Sequence, residues 1–89
     1  MIQDGQFLAV FNSAHRVMKA ENILKKCGIA ILLIPAPRAL STDCGLAIRY
    51  DGDLNNSVLQ ALMIEKLLPD TIYRKESNSH YEPIWRVNT

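Results

Sequence analysis

The stretch FLAVFNS at residues 7–13 decides the fold, because it joins a short, wholly apolar run to two residues that commonly begin helices. The run Phe7–Phe11 is rich in aromatic and β-branched side chains, which is typical of a strand buried on both faces. We therefore expect this strand to lie in the middle of a sheet. Asn12 and Ser13 are good N-cap residues, so a helix is predicted to follow them directly.

The first helix is predicted from Ala14 to Cys27, because apolar residues recur there at intervals of three and four positions. This spacing places them on one face of the helix, which we expect to pack on the sheet. The residues on this face are Val17, Ala20, Leu24 and Cys27. Gly28 is predicted to end the helix, since glycine adopts the left-handed conformation of a helix terminus without strain.

Three further strands are predicted from apolar and β-branched runs. The run IAILLI at 29–34 stops at Pro35, which has no N–H group to continue a ladder. The run LAIRY at 46–50 forms the third strand, and TIYRK at 71–75 forms the fourth. The sequence Asp-Gly-Asp at 51–53 is typical of the turn that follows the third strand.

The second predicted helix reaches Leu68 and is closed by Pro69. Its N-cap is Asn55 or Asn56. It carries two apolar stripes, although packing on one sheet requires only one. One stripe contains Val58 and Leu62, with Glu65 on the same side, and the other contains Leu59, Met63 and Leu67. The second stripe is buried either in a homodimer or under the C-terminal residues 76–89.

The order strand, helix, strand, strand, helix, strand favours an α+β fold. Its most economical arrangement is the ferredoxin-like split βαβ sandwich (βαββαβ), in which two helices cover one face of an antiparallel sheet. We assign residues 1–75 to this domain and residues 76–89 to a C-terminal extension, which packs on the domain or on a partner. Within the extension, Ile84, Trp85 and Val87 either add a strand or pack across the domain.

The connection PAPRALSTDCG at 35–45 lies, in this arrangement, at the end of the sheet where the first helix begins. Cys44 is therefore expected beside the Asn12-Ser13 loop and the N-terminus of that helix. Cys27 ends the same helix, which spans roughly 20 Å at about 1.5 Å per residue. A disulfide needs Cα atoms within roughly 7 Å of each other, so we expect no bridge between the two cysteines.

The composition limits the classes of function. The chain has 89 residues, a net charge of +1 and two cysteines, which fit one cytoplasmic domain with free thiols. The charges are scattered, so no nucleic-acid partner is indicated. No apolar run approaches the ~20 residues of a membrane span, and the first residues lack the features of a secretory leader. We expect no metal and no cofactor, since His15 and His80 lack zinc-ligand spacing and the glycines form no phosphate loop.

Cys44 is the candidate reactive residue. A helix N-terminus and a nearby guanidinium group, here that of Arg38, both favour a thiolate. Gly45 leaves space beside the sulfur for the sulfur of another protein. Asp43 acts in the opposite direction, and the sequence does not decide which effect is larger.

Other interpretations of the same loop stay open at this stage. Ser41 and Thr42 either donate hydrogen bonds to a sulfur anion or stabilise the loop through its backbone. Cys44 itself is either a nucleophile or a small buried apolar residue, and Arg38 is either part of the site or simply solvated. His15, in the first turn of the helix, is a weaker candidate for a base beside Cys44.

A pattern of motifs connects these residues. Residues 10–50 combine a serine near the helix start, a glycine at the helix end, a Pro-x-Pro-Arg loop and a Ser-x-x-Cys-Gly-Leu-Ala segment. In this pattern the chain resembles the small bacterial family described as putative selenium/sulfur carrier protein-like. The resemblance implies that Cys44 carries sulfur or selenium as a persulfide or selenenyl sulfide. The binding residues that the motif implies are Arg38, Ser41 and Gly45, together with Ser13 at the helix start. Residues after Lys75 extend past the usual end of the family.

Two main hypotheses follow. In the first, a donor protein such as a cysteine desulfurase loads Cys44 and the thiolate of an acceptor protein unloads it, so the chain is a carrier rather than a turnover enzyme. In the second, the chain is a non-catalytic oligomeric module that binds a small anion or a protein partner through the Pro-Arg loop. A third hypothesis, a redox sensor, requires a thiol from a partner because no second cysteine is in reach of Cys44.

Overall fold

The computed structural model describes residues 2–40 and 44–87. In this part of the chain the helices and strands are β1 (Gln6–Val10), α1 (Ala14–Lys26), β2 (Leu32–Pro35), β3 (Leu46–Asp51), α2 (Asn55–Ile64), β4 (Thr71–Lys75) and β5 (Tyr81–Arg86). A 3-10 turn at Gly52–Leu54 leads into α2. The strands form one antiparallel sheet in the order β2-β3-β1-β4-β5. The fold is therefore α+β, as the sequence predicts.

The strand β1 lies in the middle of this sheet, which confirms the interpretation of the FLAVF run. It pairs with β3 on one side and with β4 on the other. Leu8 and Ala9 are fully buried, and Val10 is nearly so. Since successive side chains of a strand point to opposite faces, both faces of β1 must be covered by other parts of the chain.

Both helices cover one face of the sheet. Ala9 of β1 lies opposite Ile48 of β3 and Ile72 of β4, so the three side chains share a face. They form a single buried cluster with side chains of both helices. The helical members of this cluster are Val17, Ala20, Leu24, Val58 and Leu62. Cys27, predicted on the buried face of α1, is exposed because it is the C-cap residue and lies beyond the last turn.

The opposite face is covered by a smaller cluster. Leu8 and Val10 of β1 pack there with Ala47 of β3 and with Leu40, which belongs to the connection between β2 and β3. Leu40 is only 7% exposed, and its N–H donates to the carbonyl of Pro37 at 3.0 Å. The connection is thus anchored on the sheet by an apolar side chain.

The helix α1 ends in a Schellman motif built on glycine. Gly28 has a positive φ of 75°, its N–H donates to Lys25, and the N–H of Ile29 donates to Leu24. Ile29 therefore caps the end of the helix with its N–H group and is not part of a strand. This is why β2 begins at Leu32 and not at the predicted position 29.

The helix α2 ends in the same motif built on lysine. Lys66 has a positive φ of 56°, its N–H donates to Met63, and the N–H of Leu67 donates to Leu62. The helix therefore stops at Ile64, four residues before the predicted end at Leu68. Nothing in the sequence indicates that a lysine adopts this conformation. The sequence therefore predicts a helix that is too long.

The predicted asparagine cap of α2 is wrong. The N-cap is Leu54, whose side chain makes no capping hydrogen bond. Asn55 is the first helical residue, and its Oδ1 accepts a hydrogen bond of 2.8 Å from the hydroxyl of Tyr50. The asparagine thus stabilises a buried phenol of β3 and not a helix end.

Pro35 is the last residue of β2, where it pairs with Leu46. The N–H of the next residue, Ala36, donates to the carbonyl of Gly45 at 2.8 Å. Backbone groups of a strand alternate in direction, so the nitrogen of Pro35 points away from β3. Since β2 is an edge strand, proline is tolerated there without the loss of a ladder hydrogen bond.

The strand β5 lies beside β4, and its Trp85 packs near the second stripe of α2. Trp85 lines a groove of about 270 Å³ together with Leu59 and Met63. Met63 and Ile64 stay 58% and 76% exposed. The stripe is therefore covered in part by the chain itself, and the homodimer stays a prediction.

We expect Lys66→Gly to raise the free energy of unfolding by about 1 kcal/mol, because a positive φ strains every residue except glycine. Urea denaturation measures the change. The control is Glu65→Gly, one residue earlier at a φ of −89°, where glycine should lower stability. A gain from both substitutions would contradict the argument.

A second prediction concerns Tyr50, which is 2% exposed. Burial raises the pKa of its phenol above the usual range. Above about pH 10 the unfolded chain loses this proton while the folded chain keeps it, so stability falls as the pH rises. Tyr50→Phe removes this pH-dependent fall in the free energy of unfolding, which amounts to at most roughly 1.4 kcal/mol per pH unit.

The measurement is urea unfolding of both proteins between about pH 9 and pH 11. At the lower pH the variant should be less stable by about 1 kcal/mol, because the hydrogen bond to Asn55 is lost. The gap between the two proteins should then narrow as the pH rises. A gap that stays constant would show that Tyr50 ionises equally in both states.

Candidate functional site

Cys44 lies at the end of the sheet where α1 begins. Its Sγ is 3.5 Å from the carbonyl oxygen of Phe11 and 3.5 Å from that of Leu46. Phe11 directly precedes Asn12, so the sulfur lies beside the loop predicted from the topology. The side chain is half-buried and packs against the cluster beneath the helices.

The register of the sheet explains this position. Val10, the last residue of β1, pairs with Ala47 of β3. Because the two strands are antiparallel, residues before Ala47 lie beside residues after Val10. Strand pairing therefore brings Cys44 to the end of β1, where its S–H group lies within hydrogen-bond distance of a carbonyl just beyond the ladder.

Gly45 is required for its backbone conformation. Its φ is 72°, which residues other than glycine adopt only with strain. Within the described residues, a Cβ atom built at this position would meet nothing within 4 Å. The sequence argument that glycine leaves space beside the sulfur is therefore less important than the turn that glycine allows before β3.

The other predicted binding residues are distributed differently. Ser13 is the N-cap of α1, and its Oγ accepts a hydrogen bond from the backbone N–H of Arg16 at 3.2 Å. Arg38 is exposed, and among the described residues it has no hydrogen-bond or ion-pair partner. Ser41, with Thr42 and Asp43, lies outside the described residues. The structure thus describes Ser13 as a helix cap and Arg38 as an exposed cationic side chain without a partner in residues 2–40 and 44–87.

Arg16 was not identified from the sequence, although it organises this end of the domain. Its guanidinium group donates to Oδ1 of Asn12 and to the carbonyl of Leu68, each at 3.0 Å. It also lies 3.6 Å from the carboxylate of Asp70 and 5.9 Å above the ring of Phe11. A signal was present, because a cation in the first turn of a helix opposes the helix dipole and needs compensating partners.

Cys27 differs from Cys44 in position and in exposure. It lies at the other end of α1, is exposed and is a free thiol, as is Cys44. The expectation that the two cysteines form no bridge is confirmed. Cys27 therefore serves as an internal reference for the reactivity of Cys44.

Other kinds of site receive no support in the described residues. No three His, Cys, Asp or Glu side chains there lie close enough to hold a metal ion. None of the helices in residues 2–40 and 44–87 is both long and apolar enough to span a bilayer. His15 is exposed and has no hydrogen-bond or ion-pair partner in these ranges, and His80 pairs with Glu82 in the β4–β5 hairpin.

The arrangement around Cys44 determines the chemistry available to it. Both hydrogen-bond partners of the sulfur in the described residues are carbonyl oxygens, which accept but do not donate. The thiol therefore donates its proton to one carbonyl at a time. Residues 2–40 and 44–87 thus supply acceptors to the sulfur but no side-chain donor.

Comparison with known proteins gives one match. The family model described as "Putative Se/S carrier protein-like" matches residues 6–74, from β1 to the penultimate residue of β4. The matched range contains Cys44, Arg38 and Arg16, whereas β5 lies beyond it. No curated protein and no solved structure matches the chain. Because the family model covers well over half of the residues, the chain belongs to the putative Se/S carrier protein-like family.

Proposed function

We propose that the protein carries sulfur or selenium on Cys44 and transfers it between proteins. The observation that carries this proposal is the family match over residues 6–74, which includes Cys44 and its loop. The position of the thiol agrees with it, since Cys44 lies at the surface end of the sheet and is half-buried. A partner can therefore reach the sulfur without opening the core.

The proposed transfer is a thiol exchange. The Cys44 thiolate attacks the outer sulfur of a persulfide on the donor protein, so that a new bond to Sγ forms and the donor S–S bond breaks. The donor leaves as a thiolate and takes up one proton, while Cys44 gives one up. The thiolate of an acceptor protein then attacks the outer sulfur in the same way. No external oxidant is consumed.

We further propose that the donor is an enzyme that forms a protein persulfide, such as a cysteine desulfurase, and that transfer occurs in the cytoplasm. For selenium, the same exchange gives a selenenyl sulfide on Cys44. Nothing in this scheme requires turnover of a free small molecule. The described surroundings of the sulfur, two backbone carbonyls, are compatible with a carrier of either element.

We infer a ferredoxin-like arrangement for the matched region. The strand order β2-β3-β1-β4 and the placement of both helices on one face support it. On this view residues 1–75 form the carrier domain and residues 76–89 an extension. The end of the family match at residue 74 supports this division, while β5 extends the sheet by one strand.

A second candidate function is favoured by Arg38. This side chain is exposed and has no partner among the described residues, so it is available to an anion or to an acidic partner surface. In this alternative the Pro-Arg loop binds the partner, and Cys44 only packs against the core.

The test is mass spectrometry after incubation with a desulfurase and its substrate. We expect one added sulfur atom on Cys44, none after Cys44→Ser, and unchanged loading after Cys27→Ser, because Cys27 lies at the other end of α1. Equal labelling of both cysteines, or no labelling of either, would contradict the carrier proposal.

Arg38→Ala distinguishes the carrier function from the binding function. In the carrier, the substitution slows loading from a donor protein but leaves the sulfur on Cys44 as the product. In the binding module, Arg38→Ala abolishes partner binding while Cys44→Ser leaves it intact. Partner binding is measured by calorimetry with each variant at the same concentration.

A further inference from the structure

We infer that Arg16 is a positioning residue for the Cys44 thiol, acting through the peptide group between Phe11 and Asn12. This peptide supplies one of the two carbonyl oxygens that lie 3.5 Å from the Cys44 Sγ and can accept its S–H group. Arg16 contacts the residues on both sides of it. The inference deepens the proposed function by naming a residue that controls the same thiol.

The contacts of Arg16 fix the peptide from two directions. On one side, the guanidinium group lies 5.9 Å above the ring of Phe11, which is 1% exposed. On the other, it donates to Oδ1 of Asn12 at 3.0 Å. Asn12 is otherwise exposed, so this hydrogen bond restricts a loop residue that would have freedom without it.

Arg16 is itself held by the loop that leads into β4. It donates to the carbonyl of Leu68 at 3.0 Å and lies 3.6 Å from the carboxylate of Asp70. The N–H of Asp70 in turn donates to the carbonyl of Val10 at 2.9 Å. One side chain thus connects the end of β1, the start of α1 and the start of β4.

The consequence concerns the access of reagents to the sulfur. The second acceptor, the carbonyl of Leu46, lies two residues from Cys44 at the start of β3, whereas the carbonyl of Phe11 follows the end of β1 and leads into α1. Besides the packing of Cys44 against the core cluster, the Phe11 contact is the one that connects the sulfur to the start of α1. Arg16, by fixing that carbonyl, keeps the resting thiol half-buried.

The experiment compares alkylation of Cys44 and Cys27 by iodoacetamide in the same folded molecule. We expect Arg16→Gln to raise the ratio of the Cys44 rate to the Cys27 rate by about threefold to tenfold, the factor that corresponds to one hydrogen bond. The measurement needs no sulfur donor. It therefore gives a result even if the carrier proposal fails.

Asn12→Ala should raise the ratio by a similar factor, because it removes the link between Arg16 and the peptide. The double variant should add little to either single substitution, since both break the same connection. Asp70→Asn should raise the ratio less than Arg16→Gln does, because the hydrogen bonds from Arg16 to Asn12 and Leu68 stay in place.

Gly28→Ala is the control for a general loss of stability. This substitution strains the far end of α1 and destabilises the fold without touching the Cys44 end. We expect it to leave the ratio unchanged. An unchanged ratio in Arg16→Gln, or an equal rise in Gly28→Ala or Asp70→Asn, would overturn the inference.

Discussion

The central strand β1 constrains every other part of the structure, because its backbone is paired on both sides and its side chains are buried on both faces. Its pairing ends at Val10, which lies opposite Ala47 on one side and Thr71 on the other. Beyond that point the carbonyl of Phe11 has no strand partner in these ladders. A buried carbonyl needs a donor, and the thiol of Cys44 provides one. The candidate site therefore lies where the ladder of β1 ends.

The elements that depend on local patterns were predictable from the sequence. The run FLAVF gave a central strand, the spacing of Val17, Ala20 and Leu24 gave the buried face of α1, and TIYRK gave β4 with its observed bounds. Each pattern indicates which residues are buried, since apolar residues that recur at the interval of a helix or a strand face the core.

The element ends were less predictable, because they depend on single backbone conformations. The left-handed conformation of Gly28 is predictable, because glycine favours it. Lys66 adopts the same conformation, although its residue type does not indicate it. Asn55 carried a signal for a helix cap but bonds to Tyr50, a partner fixed by tertiary packing. Propensity describes what a residue does alone, and for Asn55 a neighbour in space determines the outcome.

The candidate site was likewise predictable only in part. Strand order alone placed Cys44 beside the start of α1 and far from Cys27, so its position followed from topology. The role of Arg16 did not, because its acceptor at Leu68 lies 52 residues away in the chain. Only the folded structure shows that a cation in the first turn of a helix is compensated by a distant carbonyl and carboxylate.

The hydrogen bond of the thiol has a consequence for the proposed carrier. Formation of a bond between Sγ and an added sulfur removes the hydrogen that Cys44 donates to Phe11. The carbonyl then faces a sulfur with no proton, and the contact that holds the resting thiol no longer stabilises it. In the proposed scheme the empty carrier therefore keeps an S–H donor beside the carbonyl of Phe11, and the loaded carrier lacks it. The proposed loading step thus removes one hydrogen-bond donor at the point where the ladder of β1 ends.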